Sequence, residues 1–163
     1  MQRIIKHLFT PHWIVRKAFP GGALKRIEAA IKESEAQHDG ELRFAVEAGL
    51  DLVPLLKGMS PRARAVDVFA QLRVWDTGHN SGVLIYVQFV DRRIEIVADR
   101  GIDARVQQVQ WDAICRRIEI AFRAGQFEAG VLEGIREITA LLARHFPPAG
   151  DNPNELPDSP VVL

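Results

Sequence analysis

The absences in this sequence narrow its class before any motif does. It holds one cysteine, Cys115, in 163 residues, which excludes an internal disulfide and any metal site built on several thiolates. It has no excess of charge, since 21 basic and 21 acidic side chains cancel; nothing global draws it to nucleic acid or to an anionic membrane. No apolar run approaches the roughly 20 residues that a membrane-spanning helix needs. Lys6, His7, His12, Arg16 and Lys17 interrupt the start of the chain too often for a signal-peptide core. The expectation is a soluble, cytoplasmic protein with no transmembrane segment. Walker, nucleophile-elbow and zinc patterns are missing. Gly125, Gly130 and Gly134 follow no strand and so make no phosphate loop. His7, His12 and His38 lack metal-ligand spacing, and Cys115 shares a helix face with Trp111 and Ile118, which reads as a buried structural thiol.

What is present is organised around residues 74–103. The run Val83–Val90 is rich in β-branched and aromatic residues and is bounded by turn formers, the pattern of a strand buried on both faces. Asp91-Arg92-Arg93 then turns the chain into a second, alternating strand ending at Ala98. Upstream, Glu41–Glu47 alternates as a strand with Leu42, Phe44 and Val46 on one face. Helical periodicity is expected from about Leu24 to Gln37. It returns from Pro61 to about Val74, with Ser60 as cap and Ala63, Val66, Phe69 and Ala70 inward. Two more helices follow, one starting at Gln107 or Gln110 with Trp111, Ile114, Ile118 and Phe122 on one face, the other running from Phe127 to Phe146. The rest of 48–60 reads as loop.

Three regions result. Residues 1–19 form a helical basic arm, with Ile4, Ile5, Leu8 and Phe9 in one apolar stripe and Trp13, Ile14, Ala18 and Phe19 in the next. No acid occurs before Glu28, so the arm reads as a packed helix with its charges to water, the favoured reading because the stripes are short, or as a contact for a membrane surface or an acidic partner. Residues 20–146 form the domain. Residues 147–163 carry five prolines, three acids and no periodicity, and are expected to be disordered. The end, Pro160-Val161-Val162-Leu163, has the form of a C-terminal peptide ligand, but a plain tail is the expectation.

The order helix, strand, helix, strand, strand, helix, helix defines an α/β class: an α/β/α sandwich, a small mixed sheet with helices on both faces. A helical crossover makes the first two strands parallel, and a tight turn makes the next pair antiparallel. The starts of the first and second strands and the end of the third then share one rim. That rim collects Asp39, Glu41, Asp76, His79, Asn80, Asp99, Arg100 and Asp103, while the opposite rim collects Glu47, Asp51, Asp91, Arg92 and Arg93. Carboxylates with an amide suit a hard cation, Ca2+ or Mg2+. A phosphate held there would meet Arg100, with His79 as proton donor or acceptor and Glu41 and Asp39 close by.

These pieces resemble the TPM-domain family, which includes a thylakoid acid-phosphatase-like protein tied to photosystem repair and many bacterial relatives. The resemblance rests on Gly40-Glu41-Leu42, Asn80-Ser81-Gly82-Val83-Leu84-Ile85, Asp91-Arg92-Arg93-Ile94-Glu95-Ile96, Asp99-Arg100-Gly101-Ile102-Asp103 and Phe127-Glu128-Ala129-Gly130. It implies an α/β/α sandwich, divalent-cation binding and, in some members, weak acid phosphatase activity. Carried over, it points to Asp76, Asn80, Asp99 and Asp103 as metal ligands. Many members are exported or membrane-anchored, and residues before the glycine that follows strand three are small or aromatic where this chain has Asp99-Arg100. Three readings stand: a cation-binding interaction module for a protein partner, a metal-assisted acid phosphatase, and a membrane-surface scaffold through the arm. No acid–base pair is fixed by the sequence, so it does not decide whether the protein is an enzyme.

Overall fold

The structure is a computed structural model; it describes residues 6, 7, 10, 11, 13–150 and 153–163. The apolar stripe of Ile4, Ile5, Leu8 and Phe9, together with His12, lies outside the described residues, as do Asp151 and Asn152.

In chain order the elements are α1 (Trp13–Ala18), α2 (Gly21–Glu35), β1 (Glu41–Glu47), α3 (Leu52–Leu56), α4 (Pro61–Gln71), β2 (Gly82–Gln88), β3 (Arg93–Ala98), α5 (Arg100–Asp103), α6 (Gln108–Arg123), α7 (Phe127–His145) and β4 (Val161–Val162). The sheet order is β3-β2-β1-β4. β1 and β2 run parallel with Glu41 opposite Gly82. β2 and β3 are antiparallel with Val83 opposite Ala98. The expected mixed sheet and its chain directions are therefore present.

All seven residues of β1 and all seven of β2 are buried, because these are the inner strands and both faces are covered. Alternation sends Leu42, Phe44, Val46, Val83, Ile85 and Val87 into a large core closed by α1, α2, α6 and α7. Ala45, Leu84, Tyr86 and Val97 face a smaller core closed by Ala65 and Val68 of α4, Val74 and Leu156. Phe19 lies against Phe44, Phe122 and Phe127, with ring centroids 5.9–6.1 Å apart, so the end of the arm belongs to the large core. Val15 is buried with it and Trp13 points to solvent. Of the second apolar stripe, Phe19 belongs to the core and Ile14 and Ala18 pack partly against it, while Trp13 stays outside.

Three expectations need correction. The inward row of α4 is Ala65 and Val68; Ala63, Val66 and Ala70 are exposed. Both rows are apolar, and position relative to Leu84 and Tyr86 decides between them. α3 and α5 form short helices of five and four residues where loops were expected, too short to carry a period. The disordered tail is replaced, from Pro153 onward, by a segment that ends as β4, parallel to β1, with Val161 opposite Ala45. Leu156 gives it a buried anchor, and side chains rather than a long ladder hold the rest.

Candidate functional site

Gly82 is the hub of the rim. A Cβ there would lie 1.9 Å from the Val74 carbonyl oxygen, so only glycine lets the segment after α4 fold back onto the start of β2. Ser81 accepts from the Glu41 amide at 3.0 Å and Gly82 accepts from the Asp99 amide at 2.8 Å, which fastens all three strand ends together. Asn80 takes the left-handed conformation, φ 53°, which asparagine tolerates better than most residues. The first turn of α5 rests directly on this corner. The Gly101 amide donates to the Asn80 carbonyl at 3.0 Å, and a Cβ on Gly101 would sit 2.6 Å from the carbonyl oxygens of both His79 and Asn80.

On that frame Asn80, Asp99 and Arg100 form one bonded group. Asp99 caps α5 by accepting from the Arg100 amide through Oδ1 at 2.7 Å, while its Oδ2 is buried without a hydrogen-bond partner among the described residues. Arg100 Nε donates to Asn80 Oδ1 at 3.1 Å. The other rim residues are drawn elsewhere. Asp76 pairs with Arg73 of its own turn at 2.6 Å, and Arg73 lies over the Trp75 ring. Asp39 accepts from the Ala149 amide at 3.0 Å. Glu41, 1% exposed, accepts from the amides of Glu155 and Leu156 at 3.3 and 3.1 Å. His79 and Asp103 are exposed.

Among the described residues no group of three or more His, Cys, Asp or Glu side chains stands together as a metal site, so the expected four-ligand set of Asp76, Asn80, Asp99 and Asp103 is not assembled. Within this group Asn80 Oδ1 is engaged by Arg100, while Asp99 Oδ2 has no hydrogen-bond partner among the described residues.

Sequence reasoning missed a second group, beneath the C-terminal segment. Glu35 accepts from the Leu42 amide at 2.8 Å, and burial, with Glu41 and Asp158 nearby, pushes its carboxyl up to about 8. Burial also raises the Glu41 carboxyl. Arg43, 6% exposed, donates to the backbone carbonyl of Pro157. A charged residue on a two-sided strand was the available signal, because such a residue must find a partner. His38 was also underread. It is fully buried, accepts from the Gly40 amide through Nδ1 at 3.1 Å and lies 2.8 Å from Ser34 Oγ through Nε2. Ser34 Oγ in turn sits 2.6 Å from the Thr139 hydroxyl. Burial holds the imidazole neutral, down to about 4.

At the opposite rim Arg64 grips Glu47 with two nitrogens, at 2.7 and 3.0 Å, and the Tyr86 hydroxyl donates to the same carboxylate. Burial and that neighbouring charge raise the Tyr86 pKa. These are satisfied structural contacts on the smaller core.

An α/β/α sandwich with its first two strands parallel, a hairpin return and a glycine-centred rim defines the class. The sequence matches the TPM domain over residues 17–141, and the chain belongs to the TPM-domain family. Its fold is similar to the NMR structure of the BA42 protein from the psychrophilic bacterium Bizionia argentinensis, with 31% identity, 89% of this chain and 95% of that chain covered, and a TM-score of 0.78. No curated protein matches the sequence. Among the described residues no helix is long and apolar enough to cross a membrane.

Proposed function

We propose that this TPM domain is an interaction module, and that its rim carries a hydrated divalent cation of the Mg2+ type between Asp99 and Asn80. One observation carries the reading: Asp99 spends one oxygen on the Arg100 amide and keeps the other buried with no partner among the described residues, next to an arginine that holds the Asn80 side-chain oxygen. A buried, unsatisfied carboxylate oxygen is costly, and a cation with its water would relieve it. Arg100 is exposed and can swing from Asn80 to admit the ion.

The phosphatase alternative finds less support. Hydrolysis needs an acid or base held at the reacting atoms in a shielded pocket. His79 is open to solvent, and the carboxyls whose pKa burial raises, Glu35, Glu41 and Glu95, are committed to backbone or to arginine contacts. The membrane-scaffold alternative keeps Trp13 exposed but loses Phe19 of the same stripe to the core.

The test is an NMR titration of the chain with Mg2+ and with Ca2+, followed by the melting temperature at each concentration. Shifts confined to residues 79–80 and 99–101, with a rise in melting temperature that Asp99→Asn removes, are expected from mass action. Absence of shifts there contradicts the site. Turnover of an aryl phosphate, lost in Asp99→Asn, would replace the module by the hydrolase.

A further inference from the structure

The outer edge of β1 is read by a segment of the chain itself, and the way it is read points to a docking groove. Residues 153–163 lie along that edge, yet only Val161 and Val162 pair with it as a strand, with the Leu163 amide donating to the Val46 carbonyl at 2.9 Å. The remainder is held by side chains of the domain that contact backbone atoms of the segment. Glu41 accepts from the Glu155 and Leu156 amides. Arg43 donates to the carbonyls of Pro157 and Ser159. Both side chains are more than nine-tenths buried, a costly investment unless the charge meets a partner. Contacts to main-chain atoms are blind to sequence and supply affinity for any extended chain; alternate pockets supply the selection.

The pockets here are few. The Gly78 amide takes the Glu155 carboxylate at 2.9 Å. The smaller core takes Leu156, then Val161 and Leu163. Pro157 and Pro160 in between offer no amide, so the segment presents a poor edge to a further strand.

We propose that the β1 edge is a strand-docking groove for an extended segment of another protein, with residues 153–163 as its built-in competitor. The fitting partner carries an acid followed by a large apolar residue, then two β-branched or apolar residues about five positions on, as the seated segment does. A second copy of the chain, exchanging identical segments, gains no contact that each copy does not already have, and is an outcome of the test. A foreign segment gains as soon as it outcompetes a short, tethered strand. This inference is independent of the cation reading, since none of its contacts involves Asp99.

The experiment uses the full chain and a fluorescent peptide of residues 153–163. Tethering gives the native segment a high effective concentration, so the peptide binds the wild-type chain weakly. In Leu156→Ser, which weakens the tethered copy only, binding tightens about tenfold or more. Adding Arg43→Met to that variant removes the gain. In the isotope-labelled wild-type chain, excess unlabelled peptide moves the signals of residues 153–163 to random-coil positions and leaves β2 and β3 unchanged. This second readout stands even if a variant fails to fold. The proposal is overturned if the labelled segment stays docked at saturating peptide, if Leu156→Ser binds no better than wild type, or if sedimentation shows a dimer by segment exchange, which would make a second copy the occupant.

Discussion

The two edges of this sheet are closed by different means. At β3 the outward backbone groups are met by long elements packed into the core. Glu119 of α6, 6% exposed, accepts from the Ile94 amide at 3.2 Å, and Arg62 of α4 donates to the Ile96 carbonyl. Arg62 and Arg93 also stand 3.7 and 3.5 Å from Glu95 and Glu119. The groove between β3 and α6 has a volume of about 310 Å3 and also includes Asp112 and Cys115, whose thiol burial pushes up to about 12. At β1 the closure is a two-residue strand and a set of side-chain contacts to backbone. Opening the β3 edge means disturbing α6, while opening the β1 edge means lifting one segment. Unpaired edges invite association; this domain blocks one with its helices and keeps a replaceable cover on the other.

The largest effect that breaks this comparison lies at the strand both edges lean on. Gly82→Val drives a side chain into the Val74 carbonyl, and denaturant unfolding is expected to show a loss of about 3 kcal/mol or more, or no folded protein. Next comes the fixed edge. Glu119→Ala leaves the Ile94 amide unsatisfied, lowering global stability by about 1–3 kcal/mol, with aggregation rising as the edge opens. Leu156→Ala sharpens the contrast. A buried leucine in an ordinary core loses about 2–5 kcal/mol on truncation, but here the loss is capped by the docking free energy of the segment. The global midpoint should move by less than about 2 kcal/mol while protease cleavage between 150 and 163 rises strongly.

The smallest effect is a pH dependence under the replaceable cover. The Glu35 carboxyl rises from 4.5 to about 8, so the folded chain holds this proton more tightly than the unfolded one. Its contribution is fully present below pH 4.5 and is lost as pH climbs through 8. Glu35→Gln keeps an acceptor for the Leu42 amide and removes that loss. Its advantage over wild type is therefore absent below pH 4.5 and grows toward pH 8, to about 1 kcal/mol after solvent screening. Thermal melts across that range check it.

Much of the sandwich was legible because period and chain direction are strong signals. The alternation of Leu42, Phe44 and Val46 and the apolar run after Gly82 gave the strands, and crossover handedness brought Asp99 and Asn80 to one rim. The parts that escaped have physical reasons. The C-terminal segment is held largely through its backbone, its apolar anchors Leu156, Val161 and Leu163 are too few and too far apart to show a period, and its prolines read as disorder. α3 and α5 hold barely one turn each. The α4 face was misread because two apolar rows compete and tertiary fit decides. The rim residues were placed at the correct end but not in the correct pairs. Arg73 is three residues from Asp76 and claims it, and Glu41 and Asp39 are claimed by a segment more than a hundred residues later.

Native-state amide hydrogen exchange of the unmodified chain tests the central claim most directly. The amide of Leu163 and those of Glu155 and Leu156 should exchange together through a local opening, at a free energy well below that of the β2–β3 amides and the Ile94 amide, which open only on global unfolding. Equal protection of Leu163 and Ile94 would contradict the account, because both edges would then be fixed parts of one cooperative fold.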